Sequence, residues 1–153
     1  MQARYRSGLE KQIAETLSDA GVEFEYEGSR IPYTVPQRAA HYIPDFRVGD
    51  IIIEGKGRFG TTNFRKAGSR QFVTVSEDGA KHRKKLLLVR EAHPHLDIRL
   101  IFSRPGTPIR KGSKTTYAIW ADDNGFKWCK QGEVPDRWIN DLKREAAKCK
   151  RKK

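Results

Sequence analysis

At 153 residues the chain is the size of one compact domain, or of one half of a dimer that exchanges elements. Its 31 Lys and Arg against 19 Asp and Glu give a net charge of +12, with a mean hydropathy of -0.77. That surplus points to a polyanionic partner, nucleic acid before anionic membrane, with plain solubility as the bland alternative. Cys129 and Cys149 lie in unrelated contexts and suggest neither a disulfide framework nor a zinc site. No run approaches the roughly 18 apolar residues of a membrane span, and the N-terminus has no apolar core of a signal peptide, so a soluble, cytoplasmic protein is expected.

Ser7-Gly8-Leu9-Glu10 opens the first predicted helix, with Leu9, Ile13 and Leu17 on one face and Gly21 as its stop. Val22, Phe24 and Tyr26 alternate with Glu23, Glu25 and Glu27, the period of a half-buried strand. Residues 31–35 read as a strand on a sheet edge because they contain Pro32. Residues 41–48 read as one strand, turned by Gly49-Asp50 into Ile51-Ile52-Ile53-Glu54-Gly55-Lys56. Three consecutive isoleucines predict a central strand buried on both faces.

Residues 59–79 lose the pattern, except for a strand-like patch at 71–75, and read as an inserted, mobile arm or hairpin. A helix is expected over 80–93, basic at first and apolar later, stopped by Pro94. A strand at 97–103, a short helix at 115–124, a strand at 126–130 and a helix at 135–147 complete the domain, residues 1–147. The tail 148–153 is almost wholly basic and is expected to be disordered.

The chemistry concentrates at Asp45 and, nine positions later, Glu54-Gly55-Lys56. Residues two apart in a strand share a face, so Glu54 and Lys56 project together, and the Gly49-Asp50 turn brings Asp45 back beside them. Two converging carboxylates suit a hard divalent cation that activates water and polarises a phosphoryl oxygen; the lysine would orient or deprotonate that water, or neutralise charge on phosphorus. The alternative is a turn aspartate and an exposed strand-end ion pair. Glu10 has two readings as well, a fourth member of the catalytic set or the far member of a Ser7-x-x-Glu10 capping box.

The segments YRSGLE, FEYE, IPYTVP, YIPDF, IEGKG, RKKLLLVREAHP, LDIRLIFSR and KGSKTTY occur in this order. Together, from about Tyr5 to Trp138 apart from the arm, they resemble the endonuclease I family of short-tailed phages, which are Holliday-junction resolvases with a PD-(D/E)xK core. The resemblance implies an α/β fold with a mixed central sheet flanked by helices, like restriction endonucleases. It also implies an intertwined homodimer exchanging a strand segment around 31–42, so that Glu10 completes the site of the other chain. Glu10, Asp45, Glu54 and Lys56 would be catalytic. Two Mg²⁺ or Mn²⁺ ions would be held, one by Asp45, Glu54 and the carbonyl of Gly55, the other by Glu10 and Asp45. At Gly55 the family more often carries threonine. The setting would be the host-cell cytoplasm if the chain is phage-encoded.

The DNA-binding set expected from the basic residues and from the resemblance is Arg4, Arg6, Ser7 and Lys11 near the N-terminus, Arg65, Lys66 and Arg70 in the arm, and Lys81, Arg83, Lys84 and Lys85 on the basic helix. The N-terminal segment is shorter than is usual in the family, and the arm would take over part of its grip on DNA. His41, His93 and His95 are expected to be structural or exposed, and Trp120, Trp128 and Trp138 to be core. Competing readings are a nuclease for mismatched, nicked or duplex DNA, and a non-catalytic DNA-binding protein.

Overall fold

The computed structural model describes residues 5–35, 38–57, 59, 62–65 and 72–151, without the side chains of 38, 62–65 and 72–78. Helix α1 (Gly8–Asp19) is followed by β1 (Glu25–Tyr26), the hairpin β2 (Ile31–Val35) and β3 (Arg38–Tyr42), and the hairpin β4 (Phe46–Val48) and β5 (Ile51–Lys56). A further hairpin, β6 (Thr62–Arg65) and β7 (Phe72–Val75), leads into α2 (Ser76–Ala92). Then come β8 (Asp97–Phe102), α3 (Tyr117–Asp123), β9 (Lys127–Lys130) and α4 (Asp136–Arg151).

The main sheet runs β1-β4-β5-β8-β9, antiparallel as far as β5 and parallel from β5 to β9, so it is the expected mixed sheet. The isoleucine strand lies at its centre. Alternation along β5 sends Ile52 into a core shared with α2, α3 and the β2–β3 hairpin, and Ile51 and Ile53 into a core shared with α1 and α4. The sheet is thus covered on both faces. Beneath α4 the guanidinium of Arg99, only 2% exposed, bonds Asp97 and Asp141 and lies 5.3 Å from the centre of the Trp138 ring. Among the described residues no helix is long and apolar enough to cross a membrane.

Several expected boundaries move. Residues 41–48 are not one strand: β3 ends at Tyr42 and β4 begins at Phe46, because Pro44 has no N–H for a ladder. The carbonyl of Asp45 at this break accepts the N–H of Glu27. Strand β1 is two residues long, ending where Glu27 takes a φ of 48°, and its partner β4 is only three residues long. The edge strand β2 pairs with β3 alone, in a sheet of its own. The expected arm contains the β6–β7 hairpin, and α2 starts at Ser76 rather than at 80.

Helix α4 does not stop at 147 but continues through Arg151. The first residues of the expected disordered tail are held by a Lys148–Glu145 pair at 3.2 Å, a Lys150–Glu23 pair at 2.9 Å, and the fit of Cys149 beside Gly49. Lys152 and Lys153 lie outside the described residues. Trp120 and Trp138 are core as expected, whereas Trp128 is half-buried and donates its indole N–H to Asp122.

Candidate active site

The register of β4 on β5 pairs Phe46 with Ile53, which sets Asp45, one residue earlier, across from Glu54. Asp45 is tied there by the N–H of Gly55, which donates to its Oδ2 at 2.9 Å. Glu54 and Lys56 share the α2 face of β5, and the Lys56 ammonium donates to Glu54 Oε2 at 2.8 Å. This is not the exposed pair of the bland reading: the Glu54 and Lys56 side chains are 3% and 11% exposed. The other oxygen, Oε1, accepts the hydroxyl of buried Tyr42.

Gly55 points to the opposite face. A Cβ there would stand 3.0 Å from Ile13 Cδ1 and 3.2 Å from Leu9 Cδ2, so α1 rests on the strand at this point. That contact brings Glu10, the neighbour of Leu9, to the site. Ser7 caps α1 and accepts the N–H of Glu10, whose own carboxylate accepts from Ser7 Oγ at 2.9 Å, Arg6 N–H at 3.1 Å and Tyr26 Oη at 2.5 Å. The cap is therefore real. From the capped position the charge of Glu10 still acts on both Asp45 and Lys56.

The electrostatics follow from three acids and few cations in a dry place. Burial, then Glu54, raise the pKa of Asp45 to about 7 against the relief given by Lys56 and Gly55, with Glu10 adding to the rise. Burial also opposes the charge of Glu54, yet Lys56 and the Tyr42 hydroxyl outweigh it and hold this carboxyl below the usual range. Burial likewise opposes the Lys56 ammonium, but Glu54 and Asp45 outweigh it and keep it charged.

Among the described residues no three His, Cys, Asp or Glu side chains gather closely enough to enclose a metal by themselves. Hard cations, however, accept carboxylates together with backbone carbonyls and retained waters. Backbone groups alternate in direction along a strand, and the carbonyl of Lys56 points to β8, where it accepts the N–H of Ser103. The carbonyl of Gly55 therefore faces the other way, towards Asp45, as its N–H does. Asp45, Glu54 and this carbonyl form an oxygen-rich set with surplus negative charge, and they fit a divalent cation.

The sequence model of the family described as Phage endonuclease I matches residues 1–69 and 73–153. The chain belongs to this family. It is 37% identical over 142 residues to "Endonuclease I" of Escherichia phage T7, an alignment covering 92% of this chain and 82% of that protein. It is also 37% identical over 142 residues to "Endodeoxyribonuclease 1" of Enterobacteria phage T3, covering 92% and 80%. Membership makes the chain a nuclease of the endonuclease class. The match crosses most of the stretch expected to be inserted and omits only residues 70–72.

The basic residues expected to meet the family's substrate fall into three groups. Arg6, Ser7 and Lys11 are exposed around the start of α1, although Arg6 pairs with Glu27 at 2.9 Å and Lys11 with Glu15 at 3.7 Å. On α2, Lys81 and Lys84 are exposed. Arg83 turns partly inward, donating to the Phe59 carbonyl at 2.5 Å and lying 5.9 Å from the centre of its ring. Lys85 turns to the acidic cluster: its ammonium is 5.4 Å from the centre of the Tyr42 ring, and burial followed by Lys56 lowers its pKa. Arg4, Lys66 and Arg70 lie outside the described residues, as does the side chain of Arg65.

Sequence reasoning missed two tyrosines that touch the acids, Tyr26 on Glu10 and Tyr42 on Glu54. A buried tyrosine hydroxyl needs a partner, but only Tyr42 lies near Asp45 in sequence, and nothing local names Glu54 as the acceptor. His41 and His95 are exposed, and His93 meets the carbonyl of Pro32 through Nε2, so the three stand apart from the site.

Proposed function

We propose that this nuclease is a structure-selective DNA endonuclease of PD-(D/E)xK type, which resolves four-way junctions and other branched DNA by metal-dependent hydrolysis with paired nicks. The observation that carries the reading is Asp45 set opposite Glu54 across β4 and β5, with Lys56 paired to Glu54 on the same strand, in a member of this family. Asp45, Glu54 and the Gly55 carbonyl would hold one Mg²⁺ or Mn²⁺, and Glu10 with Asp45 a second. The bound metal supplies a water of lowered pKa and a Lewis acid for the phosphoryl oxygen. Lys56, kept charged by its neighbours, neutralises charge developing on phosphorus rather than removing a proton.

Lys81 and Lys84 on α2 and Arg6 and Lys11 near α1 are exposed and would meet the DNA backbone. None of these residues forms a base-reading motif, which suits recognition of branch shape. The exchanged homodimer belongs to the same proposal. The β2–β3 hairpin joins α1 and β1 to the rest of the chain, and unpairing β2 from β3 would let α1 dock through the same contacts on the β5 of a second copy. Two active sites in one dimer would then give two nicks.

A four-way junction and a linear duplex of matching sequence test the proposal, each with Mg²⁺ or EDTA and with an Asp45→Ala variant alongside. Symmetric nicking of the junction that needs both metal and Asp45 is expected. Equal cutting of both substrates would move the assignment to general duplex cleavage. Tight binding without cleavage would remove catalysis altogether.

A further inference from the structure

We infer that Tyr42 is a positioning residue for the carboxylate of Glu54, fixing its rotation so that its free lone pairs face Asp45. The inference rests on the metal-dependent reading above. A carboxylate on a glutamate arm has a broad terminal torsion, so hydrogen bonds rather than sterics decide its angle. Glu54 has two such bonds, from Lys56 to Oε2 and from Tyr42 to Oε1.

The two donors differ in stiffness. Lys56 reaches through a flexible four-carbon stem. The Tyr42 ring is 1% exposed, belongs to the same core as Ile31, Ile52 and Leu86, and is flanked by the Lys85 ammonium. Its hydroxyl is accordingly the rigid donor.

Each carboxylate oxygen can accept about two hydrogen bonds, so one protein donor on each leaves room for a cation. Glu10 is held differently, by Ser7, Arg6 and Tyr26 together, so no single donor sets its angle. Glu54 has no such redundancy. Orientation of a metal-binding carboxylate by such a partner is commonly worth about 10- to 100-fold in metal affinity.

The test uses the full chain and its Tyr42→Phe variant, which keeps the ring and its packing and removes one oxygen. Mn²⁺ binding without DNA is followed by calorimetry, junction binding is measured in EDTA, and cleavage is titrated with Mg²⁺. The expected result is an Mn²⁺ dissociation constant raised about tenfold. The Mg²⁺ needed for half-maximal cleavage should rise in parallel, with cleavage recovering at high metal and junction affinity in EDTA within about twofold of the parent.

A rise of less than about threefold in the Mn²⁺ constant overturns the inference. So does a variant that loses its thermal transition and its junction affinity in EDTA, since the hydroxyl would then serve the fold alone. A parent protein that binds no Mn²⁺ would instead sink the metal-dependent reading on which the inference stands.

Discussion

Gly55 and Asp45 are joined by a backbone N–H to carboxylate bond of 2.9 Å, which crosses from the central strand to the residue just before its neighbour. The bond turns a strand break into a fixed point. Because Pro44 keeps residues 43–45 out of any ladder, the Asp45 side chain takes the place of a ladder partner for Gly55. The same bond leaves Asp45 buried beside Glu54 and within the field of Glu10, and the pKa of about 7 follows from that crowding.

The first prediction concerns stability and pH in the absence of metal. Asp45 has a pKa near 7 when folded against an ordinary value of 3.8, so between those values the folded state binds more protons than the unfolded state. Stability from this group is therefore highest at about pH 4 and falls as pH rises through 7. Asp45→Asn keeps an oxygen for the Gly55 N–H and removes the charge. In EDTA at pH 8 it should be more stable than the parent by about 2–4 kcal/mol in urea melts, and near parity by about pH 4. Equal stability at pH 8 would contradict the crowding.

Lys56 and Glu54 make a second test, because breaking a buried ion pair costs more than removing it whole. Lys56→Met leaves the Glu54 carboxylate in a dry site with Tyr42 as its remaining hydrogen-bond donor. A loss of about 3 kcal/mol is expected in denaturant melts. Adding Glu54→Gln should restore at least half of it, while neither variant cleaves DNA. If the double variant is no more stable than the single one, the pair is not acting as a unit.

The central strand and its acids were legible because their signals are local. Three isoleucines ahead of Glu54-Gly55-Lys56 announce a buried strand, and the period of two then places Glu54 beside Lys56. Gly49, whose φ is 56°, marks the turn that returns β5 to Asp45. The rest depends on distant packing. Tyr42 meets Glu54 only because the β2–β3 hairpin folds onto α2, and no local pattern separates that hydroxyl from one in an ordinary core.

The basic run of α2 poses the same difficulty. Four cations and a histidine in a row do not say which one the helix turns to the acids, and the answer is Lys85. The basic tail hid a continuing helix, because the fit of Cys149 beside Gly49 and the pairing of Lys150 with Glu23 join segments about a hundred residues apart.

Gly55 yields a third prediction. A Cβ on Gly55 would stand 3.0 Å from Ile13 Cδ1 and 3.2 Å from Leu9 Cδ2, so these side chains of α1 must give way to admit one. Gly55→Thr should push α1 outward at a cost of about 1–3 kcal/mol, and Glu10 should move with it, lowering junction cleavage more than junction binding. Combining it with Ile13→Val, which removes the Cδ1 atom in conflict, should return part of both losses. Unchanged melts for the single variant would mean that α1 is not seated on β5 in solution.

The last prediction decides where Glu10 acts. In the single chain its charge reaches Asp45 and Lys56 of the same molecule. Exchange of α1 between two copies would keep that arrangement but split it across chains. Glu10→Ala and Lys56→Ala proteins should each be inactive alone. If they are unfolded together and refolded at equal concentration, about half of the dimers are mixed under random pairing. With exchange, each mixed dimer holds one intact site, made from Glu10 of the Lys56→Ala chain and the Asp45, Glu54 and Lys56 of the other. About a quarter of all sites should then work, and the product should be junctions with a single nick rather than resolved duplexes. Without exchange, every site carries one lesion and mixing restores nothing, so the appearance of single nicks in a gel separates the two arrangements.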